Sequence, residues 1–296
     1  MKKLVAILVL CMTCVFCAVG FVACDKGKSD GVQEKQGAED AGNNTDNYSQ
    51  PTGDEYFNFT LLEDDTYAIR AKDVNNMPAN VVLPKNHDGK SVTSVGDLAF
   101  YHCSGLTSVT IPDSVTSIGF VAFGNCISLQ SVIIPDSVTS MGESLFGNCI
   151  SLTSITIPNG VTSIGDHMFY NCSNLMDITI PNSVTSIADR AFYNCSKLTS
   201  ITIQNSVTSI ASEAFSNCIS LASVTIPDSV TSIEGYAFSN CISLASVTFN
   251  NINGWKVSYP YDMSDAIDIL SSDLANTSTA AQYLTNTYNS RYWQRG

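Results

Sequence analysis

Positive charge is scarce in this chain. Among 296 residues, 14 Lys and Arg stand against 27 Asp and Glu, a formal net charge of −13. No basic run follows Lys3. A nucleic-acid partner is excluded on that ground, because a phosphate backbone is met by clustered Lys and Arg. Histidine is nearly absent as well, with His87, His102 and His167 sharing no motif. No H-E-x-x-H and no phosphate-binding loop occurs, and no C-x-x-C follows Cys24. No metal site, cofactor or catalytic constellation is therefore expected, and the histidines read as surface or loop residues. The only tryptophans, Trp255 and Trp293, lie near the C-terminus.

Charge is missing altogether from Leu4 to Ala23, an apolar run behind Met1-Lys-Lys3. A positive start and an apolar stretch read as an export signal over residues 1–23. The run is long enough to cross a bilayer, so a retained helix is an alternative. Phe21-Val-Ala-Cys24 resembles the lipobox of bacterial lipoproteins, with Phe21 where Leu is preferred. That resemblance implies cleavage before Cys24 and lipidation of its thiol; plain secretion is the other alternative. Residues 25–54 hold Val32 as their only large aliphatic and are rich in Asp, Glu, Gly, Asn and Ser. Such a stretch buries too little to order itself. As a flexible chain its ends would sit roughly 30 Å apart. Residues 24–54 thus read as a lipidated cysteine and a tether.

What the chain has in plenty is repetition. Cys103, Cys126, Cys149, Cys172, Cys195, Cys218 and Cys241 are spaced 23 residues apart. A fixed period of this size means a stacked solenoid, in which each unit buries its apolar faces only against its neighbours. Strands of pattern L-x-x-[VI] begin at Leu106, Leu129, Leu152, Leu175, Leu198, Leu221 and Leu244. In the first of these, Leu106, Val109 and Ile111 face inward while Thr107, Ser108 and Thr110 face out. Pro112 ends the strand, and Asp113-Ser114 turns the chain. Val115 and Ile118 then bracket a second extended piece, and Ala122, Phe123 and Cys126 complete the coil. Asp97, Asp166, Asp189 and Ser212 are placed as N-caps of a short helical turn. The repeats should occupy residues 81–249.

Both ends of such a stack need covers. Over residues 55–80, Tyr56–Leu61 and Thr66–Arg70 read as a β-hairpin cap, and Asn86–Ser91 reads as a loop in a longer first coil. Residues 250–296 read as a C-terminal cap. Its terminal helix is expected over Ala280–Trp293, with Leu284, Tyr288 and Tyr292 on one face. Trp255 and Trp293 would cover the core end, or alternatively form an aromatic sugar platform.

The unit L-x-x-[VI]-x-I-P-[DN]-[SG]-V-T-S-I-x-x-x-A-F-x-x-C is similar to that of the BspA-like leucine-rich repeat family of bacterial surface proteins. The likeness runs from Val81 to Phe249. It departs from common leucine-rich repeats in setting Pro-Asp or Pro-Asn where an Asn is expected after the strand. It implies a curved solenoid with a parallel β-sheet on the concave side, and short helical turns and extended segments elsewhere. It also implies a surface role in adhesion or protein binding without catalysis.

Three groups of residues remain to be weighed. Seven thiols in an exported protein suggest disulfides. Parallel side chains in successive coils suit bridging geometry badly, so a column of buried free thiols is expected. The Asn before six of these cysteines (Asn125, Asn148, Asn171, Asn194, Asn217 and Asn240) is read as structural, since Asn tolerates left-handed backbone and can bond a neighbouring coil. The outward strand residues form a hydroxyl ladder: Ser108, Thr110, Ser154, Thr156, Ser200, Thr202, Ser223 and Thr225, interrupted by Ile133 and by Met176-Asp177. This is either a solvated face or the binding face. Phe120, Tyr170, Tyr193 and Tyr236 stand at outward turn positions as candidate apolar contacts. The chain is thus expected to be lipid-anchored at a cell membrane or outer surface, facing outward, and to bind host or bacterial surface proteins or glycans. A non-binding envelope scaffold is the alternative. A glycan hydrolase built on Asp262, Asp265, Asp268 and Asp273 is disfavoured, because the region is too short for a catalytic domain.

Overall fold

The computed structural model describes residues 50–259 and 262–296. The expected export signal, the expected lipidation site Cys24 and nearly all of the expected tether lie outside these residues. The repeats wind into a parallel solenoid, each coil contributing two short strands and a turn side except the one starting at Leu198, which lacks its first strand. The first strands are Asn80–Val82, Ser108–Thr110, Ser131–Ile133, Ser154–Thr156, Asp177–Thr179, Ser223–Ile226 and Ser246–Phe249. Pairing is in register with the repeat, so Ser154 opposes Asp177 and Thr225 opposes Thr248. The second strands begin at Lys90, Ser117, Ser140, Ser163, Ser186, Ser209 and Ser232 and pair in the same way.

Inside, Phe100, Phe123, Phe146, Phe169, Phe192, Phe215 and Phe238 form one column of stacked rings, 5.2 to 5.7 Å between centroids. The thiols run beside it. From Cys126 onward each S–H donates to the carbonyl of the Phe one coil earlier, at 3.0 to 3.3 Å. All seven cysteines are free and buried. Cysteine suits the position because it is a small hydrophobe with a weak donor.

The turn side differs from the expected helical turn. Val121, Ser144, His167, Arg190, Glu213 and Tyr236 all take left-handed φ, between 51° and 62°. The Asn four residues later does the same, from Asn125 to Asn240. Between these two positions the backbone pairs across coils, as when Val121, Phe123 and Asn125 N–H donate to Glu143, Leu145 and Gly147 carbonyls at 3.0, 3.0 and 2.8 Å. The acids are therefore not helix caps. Asp97 accepts the Phe120 N–H of the next coil at 2.8 Å, and Asp166 accepts that of Asp189 at 3.1 Å. Asparagine is favoured for two reasons. It tolerates the left-handed region, and its amides ladder between coils, Asn194 Nδ2 to Asn171 Oδ1 at 2.6 Å for example.

At the N-terminal end, Phe57–Leu61 and Tyr67–Ala71 form an antiparallel hairpin that extends the second-strand sheet by pairing with Lys90–Val95. Phe57 meets Phe100 edge-on at 6.4 Å and closes the ring column. Asn86–Ser91, expected as a loop, is a tight hairpin. Asp88 and Gly89, with φ of 46° and 77°, turn it, as the twist of a two-residue hairpin requires.

The C-terminal end departs further from expectation. Helices span Ser271–Ala275 and Thr277–Gln282, followed by a π-helical stretch Tyr283–Thr287. The chain then becomes a strand, Tyr292–Arg295, inserted between Ser232–Ile233 and Trp255–Tyr259. A helix continued to Trp293 would leave the last sheet edge unpaired, and pairing it satisfies those backbone groups. Tyr292 thus lies on a strand and not on the helical face shared by Leu284. Trp255 and Trp293, each 1% exposed, pack on Phe249 at 5.2 and 6.0 Å. Burial removes the sugar-platform reading for them. No helix among the described residues is long and apolar enough to cross a membrane.

Candidate binding surface

Strand alternation sends every second residue of the first strands outward. Ser154, Thr156, Asp177, Thr179, Ser200, Thr202, Ser223 and Thr225 are exposed, while Ser108 and Thr110 are half-buried. The hydroxyls of Ser154, Thr156, Ser200, Thr202, Ser223 and Thr225 take part in no hydrogen bond among the described residues. Ser108 differs, donating to Asn80 Oδ1 at 2.7 Å. Met176 is 50% exposed beside Asp177. The ladder is not continuous. Strand pairing falls into three blocks, and residues 198–203 form no strand, so Ser200 and Thr202 stand in a gap between two blocks. There Gln204 replaces the usual Pro and donates to the Ile180 carbonyl at 3.0 Å.

A second hydroxyl row escaped the sequence reading, although V-T-S-I spells it out in each unit. Thr116, Thr139, Thr162, Thr185, Thr208 and Thr231 line the second strands. These hydroxyls are largely engaged. Thr185 and Thr208 Oγ1 donate to the carbonyl of the Thr one coil earlier at 3.1 and 3.2 Å. Ser137 donates to the Val115 carbonyl at 2.7 Å. Two similar rows thus differ in availability: one stitches coils together, and the other faces solvent with donors and acceptors unused.

The turn-side candidates are dispersed. Phe120 is 47% and Tyr236 48% exposed, five coils apart. Tyr170 and Tyr193 are half-buried and stack at 5.1 Å with 7° between planes. Arg190, next to them, pairs with Glu213 at 2.6 Å, and that hydrogen bond raises its pKa.

The C-terminal acids serve separate structural partners. Asp265 holds Arg291 at 2.5 Å, Asp268 holds Lys256 at 3.3 Å, and Asp273 accepts the Tyr283 hydroxyl at 2.9 Å. Asp265, Asp268 and Asp273 are thus each tied to a different partner and are not gathered as a catalytic carboxylate pair would be.

The sequence matches the model of the BspA type leucine rich repeat region over residues 93–218 and 185–259, more than half of the chain. The chain belongs to the BspA-type leucine-rich repeat family. Its match is to a repeat family and not to a catalytic one. Among solved structures it is similar to a leucine-rich repeat protein of T. pallidum, at 27% identity over 58% of this chain and 91% of that one, with a TM-score of 0.48. It is also similar to a leucine-rich cell surface protein of Faecalibacterium prausnitzii, at 27% identity over 68% and 76%, with a TM-score of 0.43. A leucine-rich repeat protein of Bacteroides ovatus matches at 25% identity over 67% and 70%, with a TM-score of 0.43. No curated protein matches the chain.

Proposed function

We propose that this BspA-type chain is a surface lipoprotein, anchored through Cys24, that binds surface proteins or glycans and so mediates adhesion. The contact face is the first-strand row of Ser154, Thr156, Met176, Asp177, Ser200, Thr202, Ser223 and Thr225. One observation carries the choice of face: its hydroxyls are unengaged, while those of the second-strand row bond the neighbouring coil. From Ser108 to Ser246 the row spans six coil steps of about 4.8 Å, or roughly 29 Å. That length matches a standard interface of about 800 Å² a side. Binding is broad and shape-based, with Ser and Thr hydroxyls supplying both donors and acceptors. Anchoring is supported by the Phe21-Val-Ala-Cys24 motif and the polar tether after it.

The test is binding of the purified full chain to immobilised mucin, matrix and bacterial surface extracts. Saturable binding should fall at least ten-fold when Ser154, Thr156, Met176 and Asp177 are replaced by Ala. The same number of Ala changes at Thr185, Ser186, Thr208 and Ser209 should leave it unchanged. Absence of any saturable partner favours the scaffold reading. Incorporation of labelled palmitate in cells should disappear with Cys24→Ser; persistent label rejects the anchor.

A further inference from the structure

At the turn position two residues before each repeat cysteine, successive coils carry Tyr101, Gly124, Gly147, Tyr170, Tyr193, Ser216 and Ser239. The two glycines interrupt a tyrosine column and open a notch of about 170 Å³ between Tyr101 and Tyr170. The geometry points to a binding site here for one neutral pyranose unit of a glycan, separate from the Ser/Thr face.

The walls are aromatic and braced. Tyr170 stacks on Tyr193 at 5.1 Å and meets the His167 ring at 5.6 Å, contacts that brace its ring at the edge of the notch. Val121 and Tyr101 together close over Gly124, where an added Cβ would lie 2.3 Å from Val121 Cγ1 and 3.2 Å from the Tyr101 ring Cδ2, so the open part of the notch lies over Gly147. A pyranose offers a patch of polarised C–H groups that suits the negative face of an aromatic ring. The floor is polar. Asn171 Nδ2 bonds Asn148 Oδ1 at 2.9 Å, but no hydrogen bond among the described residues continues the ladder from Asn148 to Asn125. The Asn148 Nδ2 and the Asn125 carboxamide are left as donors and an acceptor, the mixture that vicinal hydroxyls require. Ser144 and His167 stand at the rim.

Charge and size narrow the ligand. No Asp, Glu, Lys or Arg lines the notch, so it favours a neutral sugar over a sialylated or sulfated one. Tyr101 and Tyr170 stand three coil steps of about 4.8 Å apart, or about 14 Å along the stack. Drug-sized pockets begin near about 300 Å³, so this one takes a single ring.

Gly147→Tyr tests the site without disturbing the fold. An added Cβ at Gly147 meets nothing nearer than the Ser144 carbonyl at 3.4 Å, and Tyr170 and Tyr193 already occupy this register. Saturation-transfer NMR on the full chain should use methyl glycosides of glucose, galactose, mannose, N-acetylglucosamine and sialic acid. At least one neutral glycoside should receive saturation, and Gly147→Tyr should reduce the effect ten-fold or more at unchanged melting temperature. Tyr170→Ser should weaken binding similarly, and it decides the matter should Gly147→Tyr melt early. Ser154→Ala with Thr156→Ala should change nothing, so the site stands or falls apart from the Ser/Thr face. Equal transfer in both notch variants, no transfer to any neutral glycoside, or a preference for sialic acid would each overturn the assignment.

Discussion

Raising the pH from 8 to 10 should weaken this solenoid through its thiol column, by an amount that the structure allows to be worked out. Burial pushes Cys103, Cys172 and Cys241 up to about 12 and raises Cys126, Cys149, Cys195 and Cys218 as well. An unfolded thiol ionises near about 8.5–9. The folded value is the higher one, so the folded state holds its proton longer. The stabilising contribution is complete below the unfolded pKa and is lost as pH climbs from there toward 12. With an unfolded pKa of about 9, ionisation favours the unfolded chain by about 1.4 kcal/mol per thiol at pH 10, against about 0.1 at pH 8. Seven thiols together amount to about 9 kcal/mol, comparable to the whole stability of an ordinary domain. The figure requires the folded values to lie at or above about 11, where folded-state ionisation at pH 10 is negligible. Guanidinium unfolding followed by circular dichroism at both pH values gives the loss directly. A triple variant, Cys149→Ala, Cys172→Ala and Cys195→Ala, should lose about 4 kcal/mol less than the native chain over the same interval. Equal losses in the two proteins would refute the reasoning, because lysines and tyrosines titrate alike in both.

Phe169 is fully buried and stacked on Phe146 and Phe192 at 5.7 and 5.3 Å; Phe169→Ala should cost about 3–5 kcal/mol in the same unfolding assay. Asn171, at φ 59°, bonds Asn148 and Asn194. Asn171→Ala should cost about 2–3 kcal/mol, from left-handed strain and lost amide bonds, and Asn171→Gly visibly less. Deleting residues 292–296 removes the strand that covers Ser232–Ile233. Light scattering should then show concentration-dependent oligomers, since an uncovered edge templates pairing.

The period, the inward set Leu152, Ile155, Ile157, Val161, Ile164, Phe169 and Cys172, and the outward Ser/Thr row were legible from residues alone. They follow from alternation and repetition, which are local. The turn side was not. Spacing shows that residues 121–126 close a coil, but a helical turn and a pair of left-handed residues fit the same length. Val121, a β-branched residue, argues against φ of 53° by its intrinsic preference. The pairing of three amides to the next coil outweighs it. Tyr292–Arg295 shows the same limit: its helical spacing is real, yet an open sheet edge elsewhere in the chain decides its conformation. Availability of hydroxyls was equally hidden, because Thr156 and Thr185 look alike until their partners are known.

The joint between the coil ending at Ser151 and the coil beginning at Leu152 ties these observations together. No strand of either row pairs across it among the described residues. One long bond, Thr153 N–H to the Gln130 carbonyl at 3.5 Å, remains on the strand sides. Two departures from the repeat sit here. Gly160 stands where Ser137 and Ser183 bond the preceding Val carbonyl at 2.7 and 2.5 Å, and Met141 stands where other coils carry Ile. The core opens in step: Phe146 lies 5.7 Å from both its neighbours, against 5.2 to 5.3 Å elsewhere in the column. What holds the joint is the turn side, through Ser144, Phe146 and Asn148 N–H bonds of 2.8, 2.9 and 2.7 Å to the next coil. Two of those residues, Ser144 at the rim and Asn148 at the floor, also line the Gly147 notch. A ligand seated over Gly147 against Tyr170 would therefore lie across the joint that the sheets leave unpaired, and binding there should raise the melting temperature with the logarithm of ligand concentration once that exceeds Kd.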